Sequence, residues 1–293
     1  MTRFLLAGAC ALALAACGGA SDTADDIADA ADSAAQTVEN AARDGGAATL
    51  ETNAGDEVCV TFGPQTPRDI TRASGTNVDN FRMAPSSDQL NLCNIHTHTQ
   101  AEHRGPGFSV RSADGQGYRC NNTDSLTEAE LADYDGDMHF EGAKPGDTIE
   151  VHWVHSSCDV QPGETLGACL TEECTDPLLR VETQVFLVVN DRNAMDFTKM
   201  DYDTASADAS FHQPMMIPDN TGTPVVFRGS TTGPSYTQAN CSPVKVTWSV
   251  RPQCAKVDIA SLQAWAKDNA FGEHESHGVR ELVTDERLLS PIR

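Results

Sequence analysis

Positive charge is scarce in this chain: 20 Lys and Arg stand against 43 Asp and Glu, a formal net charge of -23 at pH 7. A surface of that sign repels phosphate backbones, which argues against nucleic acid as a partner. There is no CxxC pair, the closest cysteines being Cys169 and Cys174, so a thiolate zinc site has little support. There is no GxSxG, and with it goes the strained nucleophile turn of a serine hydrolase. No apolar run is long enough to span a bilayer as a helix, no internal repeat is visible, and no histidine precedes His96. What remains, 39% hydrophobic and 22% charged, is ordinary globular composition and excludes a disordered or collagenous chain.

Arg3 is followed by the apolar run Phe4 to Ala16, then by Cys17-Gly18-Gly19. This resembles a bacterial lipoprotein signal, a short positive region, an apolar stretch and small residues before a cysteine. The resemblance implies that residues 1–16 are removed and that Cys17 is lipidated. With no Asp at position 18, it further implies export to the periplasm and anchoring to the outer membrane through that lipid. Residues 18 to 57 carry ten acidic side chains, one basic one and no aromatic residue. Such a stretch cannot bury enough apolar surface to offset its ordering entropy, so 17–57 reads as an acidic, Ala-rich tether and 58–293 as a single folded domain.

Eight cysteines remain in that domain: Cys59, Cys93, Cys120, Cys158, Cys169, Cys174, Cys241 and Cys254. An even number in an exported chain predicts up to four disulfides, with the pairing left open.

The folded part reads as strands. Leu90 to Thr99 alternates in part, Thr148 to His155 is β-branched and aromatic, and Val181 to Val189 and Val244 to Val250 are buried-strand runs. Helix signals cover only Leu126 to Tyr134 and Ile259 to Asn269. The expected class is mainly β, a β-rich α+β fold with a central twisted, largely antiparallel sheet and peripheral helices.

Five of the nine histidines fall in two segments, Asn94 to His103 and Glu150 to His155. Side chains two apart on a strand share a face, so His96 and His98 can address one metal ion. A paired second strand would supply a third imidazole from His152, whose face carries Glu150 and Val154, whereas His155 points away. Three imidazoles on a divalent ion leave one tetrahedral position for water, the arrangement of a catalytic zinc. Asn94 and Glu150 stand at same-face offsets from which an amide and a carboxylate could hold the outer imidazole N–H groups.

The series HTHTQAEH, EVHWVH, Phe227-Arg228-Gly229-Ser230-Thr231-Thr232-Gly233-Pro234 and Val246-Thr247-Trp248 resembles the active-site series of α-class carbonic anhydrases in the same chain order. The cysteine-rich surroundings and the short gap from His98 to Glu102 are more similar to the delta class. The resemblance implies a sheet of carbonic-anhydrase type and reversible hydration of carbon dioxide to bicarbonate. It implies His96, His98 and His152 as zinc ligands, with cobalt or cadmium as possible substitutes, and Asn94 and Glu150 as the groups that orient them. Glu102 corresponds to the carboxylate that fixes a gatekeeper threonine, whose hydroxyl aims the attacking hydroxide. Thr232 matches the gatekeeper by an ungapped reading and Thr231 is the alternative, because the leucine that precedes the threonine pair in the family is missing. His103 and His155 match structural histidines and by periodicity either could compete as third ligand. Val154, Val246 and Trp248 are candidate pocket walls. The family's early proton-shuttle histidine has no counterpart; His139 and His212 are the candidate substitutes, while His274 and His277 look least informative.

Two other readings compete. His96-x-His98-xxx-Glu102 fits the ligand spacing of a cupin, which would hold iron or manganese with Glu102 as a ligand, although Leu90 and Ser109 stand where that motif has glycines. A non-enzymatic zinc-binding lipoprotein would enclose its metal and be indifferent to Thr232.

Overall fold

The computed structural model describes residues 59, 62–206, 209–233 and 235–293. The signal, Cys17, the tether and Pro234 lie outside the described residues.

Strands β1 (Asn91–Thr99), β4 (Thr148–Ser156), β5 (Leu179–Val189), β6 (Val225–Ser230), β7 (Lys245–Val250) and β8 (Ala255–Asp258) form one sheet, while β2 (Val110–Arg111) and β3 (Tyr118–Arg119) make a separate two-stranded ladder. The large sheet runs in the order β1-β4-β5-β7-β6, and β8 also pairs with β5. β1 with β4, β4 with β5 and β6 with β7 are antiparallel; β5 is parallel to both β7 and β8. The eleven residues of β5 explain how two strands share one side of it. Leu179 to Thr183 meets β7, and Phe186 to Val189 meets β8 further along.

Both faces of the sheet are covered, so its central strands are buried at nearly every position rather than alternating with solvent. On one face Ile95, Ile149, Val151, Trp153, Phe186 and Val188 pack against Ile259, Leu262 and Trp265 of helix α1 (Ile259–Ala266). Asp258 starts that helix by accepting from the Ser261 amide. The other face carries Val154, Val181, Val185, Val246, Trp248 and Val250. Fully burying a large apolar side chain contributes about 1.5–3 kcal/mol, so these two layers supply the stability against which a polar site can be buried.

The helix expected over 126–134 is not formed. Thr127 and Glu130 do make the reciprocal capping contacts, Thr127 N–H to Glu130 Oε2 at 2.9 Å and Glu130 N–H to Thr127 Oγ1 at 3.2 Å. The turn then ends, because Asp133, Asp135 and Gly136 offer no apolar stripe to bury. The second expected helix begins at Ile259 as read and stops at Ala266.

The eight cysteines pair as Cys59–Cys241, Cys93–Cys169, Cys120–Cys254 and Cys158–Cys174.

Candidate metal centre

A bulge between Leu92 and Asn94 sets the register of β1, after which Asn94, His96 and His98 face Val154, His152 and Glu150 across the ladder. The two histidines two apart on β1 and the one directly opposite on β4 therefore converge. Their rings lie 4.6 to 5.1 Å apart by centroid, and one ligand nitrogen from each comes within 4.8 Å of the others.

Each ring is oriented by an oxygen on its far side. His96 Nδ1 donates to Asn94 Oδ1 at 2.7 Å, and Asn94 Nδ2 in turn donates to the Gly163 carbonyl at 3.0 Å. His152 Nε2 donates to Glu150 Oε1 at 2.8 Å. His98 Nδ1 faces the Gly278 carbonyl at 3.4 Å and Glu102 Oε1 at 3.3 Å. With those nitrogens carrying the protons, His96 Nε2, His98 Nε2 and His152 Nδ1 are left as lone pairs pointing inward. His96 Nε2 and His152 Nδ1 stand 3.2 Å apart with no proton between them, and His98 Nε2 is buried with no hydrogen-bond partner. Three lone pairs facing one another repel unless a cation lies among them, so the donor set fits a divalent metal that takes imidazole nitrogen.

Electrostatics keep the rings neutral. Burial pushes the His96 imidazole well below the usual histidine range, pushes His98 down to about 4 and lowers His152, in each case assisted by neighbouring histidines. Burial alone would raise the Glu150 carboxyl, but His103 and His152 beside it hold it well below the ordinary carboxylate range. Glu150 also binds His103 twice, accepting from Nδ1 at 2.7 Å and from the backbone N–H at 3.2 Å. The His103 ring packs against Trp248 at a tilt of 59°, with centroids 4.9 Å apart. His103 thus supports Glu150 from behind, and His155 lies on the opposite face with its Nδ1 on the Trp153 carbonyl.

Glu102 sits behind His98, on the side away from the convergent nitrogens, and accepts from the Arg280 amide at 3.4 Å. Its second oxygen has no partner, and neither Thr231 nor Thr232 is hydrogen-bonded to it. A cupin site needs this carboxylate among the ligands, and here it holds the wrong nitrogen of His98. Burial raises the Glu102 carboxyl above its ordinary range.

A cavity of about 50 Å³ opens beside the imidazoles. Val154, Leu179, Val181, Val246 and Trp248 line it from the sheet, together with Leu166, Thr231 and Thr232 from the connections. The Thr231 hydroxyl is engaged with Ser242 Oγ at 2.6 Å. The strand leading to the threonines is held in place by Trp248 Nε1, which donates to the Ser230 carbonyl at 2.9 Å. Gly229 is required there, since a Cβ would fall 1.9 Å from Thr66 Oγ1 and 2.7 Å from Trp248 Cδ1.

Several contributors carry no sequence pattern. The segment around 273–280 runs beside β1: His277 N–H donates to the Thr97 carbonyl at 2.8 Å and Thr99 N–H to the His277 carbonyl at 2.7 Å. Glu273 accepts from the N–H of Thr97, the residue between the two β1 histidines, at 2.7 Å. The His277 ring, half exposed, lies 6.2 and 6.1 Å from those of His96 and His98, so it borders the centre although its charged surroundings in the sequence give no hint of it. His212 is instead buried in a network with Gln161 and Tyr202, and His139 precedes Phe140 in the core on the other face.

The model of the family described as delta carbonic anhydrase matches residues 87–261. The chain belongs to that family. This carbonic anhydrase is also similar to the solved structure of the Photobacterium profundum alpha-carbonic anhydrase, at 16% identity over 81% of this chain and 96% of that one, with a TM-score of 0.25. An alpha-carbonic anhydrase from Thermovibrio ammonificans, solved with the inhibitor sulfanilamide, follows at 13% identity over 75% and 85%, also with a TM-score of 0.25. No curated protein matches the chain. The enzyme is therefore a carbonic anhydrase, with carbon dioxide and bicarbonate as substrate and product.

Proposed function

We propose that His96, His98 and His152 hold one zinc ion and that reversible hydration of carbon dioxide takes place in the adjoining cavity, on an exported lipoprotein anchored through Cys17. The observation that carries the reading is the set of three inward lone pairs, each enforced by an oxygen on the far side of its ring. Zinc, when bound, supplies the lowered pKa of water, about 7 against about 15.7 in bulk, that makes a nucleophile available at neutral pH. Three protein donors are one fewer than tetrahedral zinc takes, which leaves room for that water.

The chain does the rest. Burial keeps the imidazoles neutral and so able to donate lone pairs. Val154, Val181, Val246 and Trp248 offer an uncharged substrate an apolar wall next to the centre. Thr232 serves as gatekeeper, because the hydroxyl of Thr231 is already committed to Ser242. Glu102 acts on this reading through His98 and the Arg280 amide rather than through the threonine. Four disulfides within the chain suit an oxidising compartment, in keeping with the signal-like Arg3 to Cys17 segment. Cobalt or cadmium would satisfy the same three nitrogens, and elemental analysis distinguishes them from zinc.

The test is stopped-flow carbon dioxide hydration with and without a zinc chelator, on the wild type and on Thr232→Ala. Chelation should abolish hydration, and Thr232→Ala should keep its metal while losing most turnover. Full hydration by metal-free protein would overturn the reading.

A further inference from the structure

One wall of the cavity does not come from the sheet. Leu166 lines it from the connection between β4 and β5, at the start of a short 3-10 turn, Leu166–Cys169. In the family motif a leucine precedes the threonine pair; here Thr231 occupies that place and turns its hydroxyl to Ser242. Leu166, far from Thr231 in the chain, adds an apolar side chain to the cavity that Thr231 also lines.

The segment bearing Leu166 is fastened rather than loose. Cys169 is bonded to Cys93 in the β1 bulge, and Cys158–Cys174 closes the base of the same connection. Gly163 N–H donates to the Cys93 carbonyl at 3.0 Å, and Ser156 Oγ donates to the Cys169 carbonyl at 2.7 Å. Asn94 joins this segment to the metal centre, holding His96 with its oxygen and the Gly163 carbonyl with its nitrogen. Thr165, at a positive φ of 58°, accepts from the Gly167 amide and fixes the turn on which Leu166 stands.

The cavity is small, about 50 Å³, and partly open to solvent. A single water needs about 10–15 Å³ by this measure, so the cavity holds a molecule of a few heavy atoms, whereas sites for drug-sized ligands run to roughly 300–1,000 Å³. We propose that Leu166 is a specificity-determining residue of this enzyme, narrowing the cavity against substrates larger than carbon dioxide and bicarbonate and excluding aryl esters that the same centre could otherwise hydrolyse. In that side reaction the oxygen of water adds to the ester carbonyl, the nitrophenolate leaves with the bonding pair, and the water protons go to solvent. The inference rests on the hydratase reading above.

The experiment compares wild type, Leu166→Ala and Leu166→Phe for zinc content, carbon dioxide hydration, 4-nitrophenyl acetate hydrolysis and equilibrium binding of benzenesulfonamide. Leu166→Ala should keep its zinc, gain about tenfold or more in kcat/KM for the ester and bind the sulfonamide about tenfold more tightly, the scale expected for methylene-sized changes in an apolar pocket. Leu166→Phe should move both in the opposite direction. Zinc-loaded variants with ester rates and sulfonamide affinity equal to those of an active wild type would overturn this inference alone. A wild type with neither zinc nor hydration would overturn the hydratase reading and this inference with it.

Discussion

At the scale of single residues, the centre depends on acceptors as much as on ligands. Glu150 is the most heavily used of these, accepting from His152 Nε2, His103 Nδ1 and the His103 amide. Both imidazoles share Glu150 Oε1, so a glutamine whose oxygen stays there turns its own N–H groups toward the His103 backbone N–H that Oε2 accepts from, and it lacks the negative charge that both rings face. Glu150→Gln should therefore weaken zinc binding by about 10–100-fold, the usual loss when an orienting partner of a metal-bound histidine is removed. Competition against a chromophoric chelator measures this, and an affinity equal to that of wild type would show that Glu150 does not set the His152 tautomer.

At the scale of elements, what was legible depended on period. β1, β4, β5 and β7 were readable because buried strands here are runs of β-branched and aromatic residues, and His96, His98 and His152 converge for the same reason, period two on paired strands. The number of disulfides followed from composition, but their pairing is decided by contacts as distant as Cys59 with Cys241. Gly278, Glu273 and Leu166 reach the site through backbone carbonyls, loop packing and a disulfide, none of which leaves a periodic trace. The 126–134 segment misled because a capping box is a local signal, and helix continuation needs an apolar face that the segment lacks.

That same turn carries a pH prediction. Its Glu130 pairs with Lys256 on β8, and this bond, with the Thr127 amide, lowers the Glu130 carboxyl to about 2 from an ordinary 4.5. A depressed carboxylate stabilises the folded state above its unfolded pKa, and that contribution is lost as pH falls through its folded one. The turn should thus stay docked above about pH 4.5 and release from β8 between there and pH 2. The Asn190 amide, which donates to the Glu130 carbonyl at 2.9 Å, should lose hydrogen-exchange protection in that window. Undiminished protection at pH 2 would show that the ion pair does not hold the turn.

At the scale of the whole molecule, the described residues hold long irregular connections in place with one short α-helix and a single large sheet. Three of the disulfides close loops of 76 to 182 residues, which restricts the unfolded chain most. Buried Arg68 and Arg280 add to this by donating to backbone carbonyls, Arg280 to Thr66 and Thr237 at 2.7 Å each. The C-terminal segment so secured is the one that brings Gly278 to His98 and the Arg280 amide to Glu102. Stability and chemistry therefore share the same scaffold: the sheet provides the ligands and two of the groups that aim them, Asn94 and Glu150, while the loops provide Gly278 and Glu102 behind His98 and the Leu166 side of the cavity. The central claim is tested most directly by X-ray absorption at the zinc edge on the purified protein. The account predicts one zinc per chain with three imidazole nitrogens at about 2.0–2.1 Å and one further oxygen from water; four protein ligands, or fewer than three imidazoles, would contradict it.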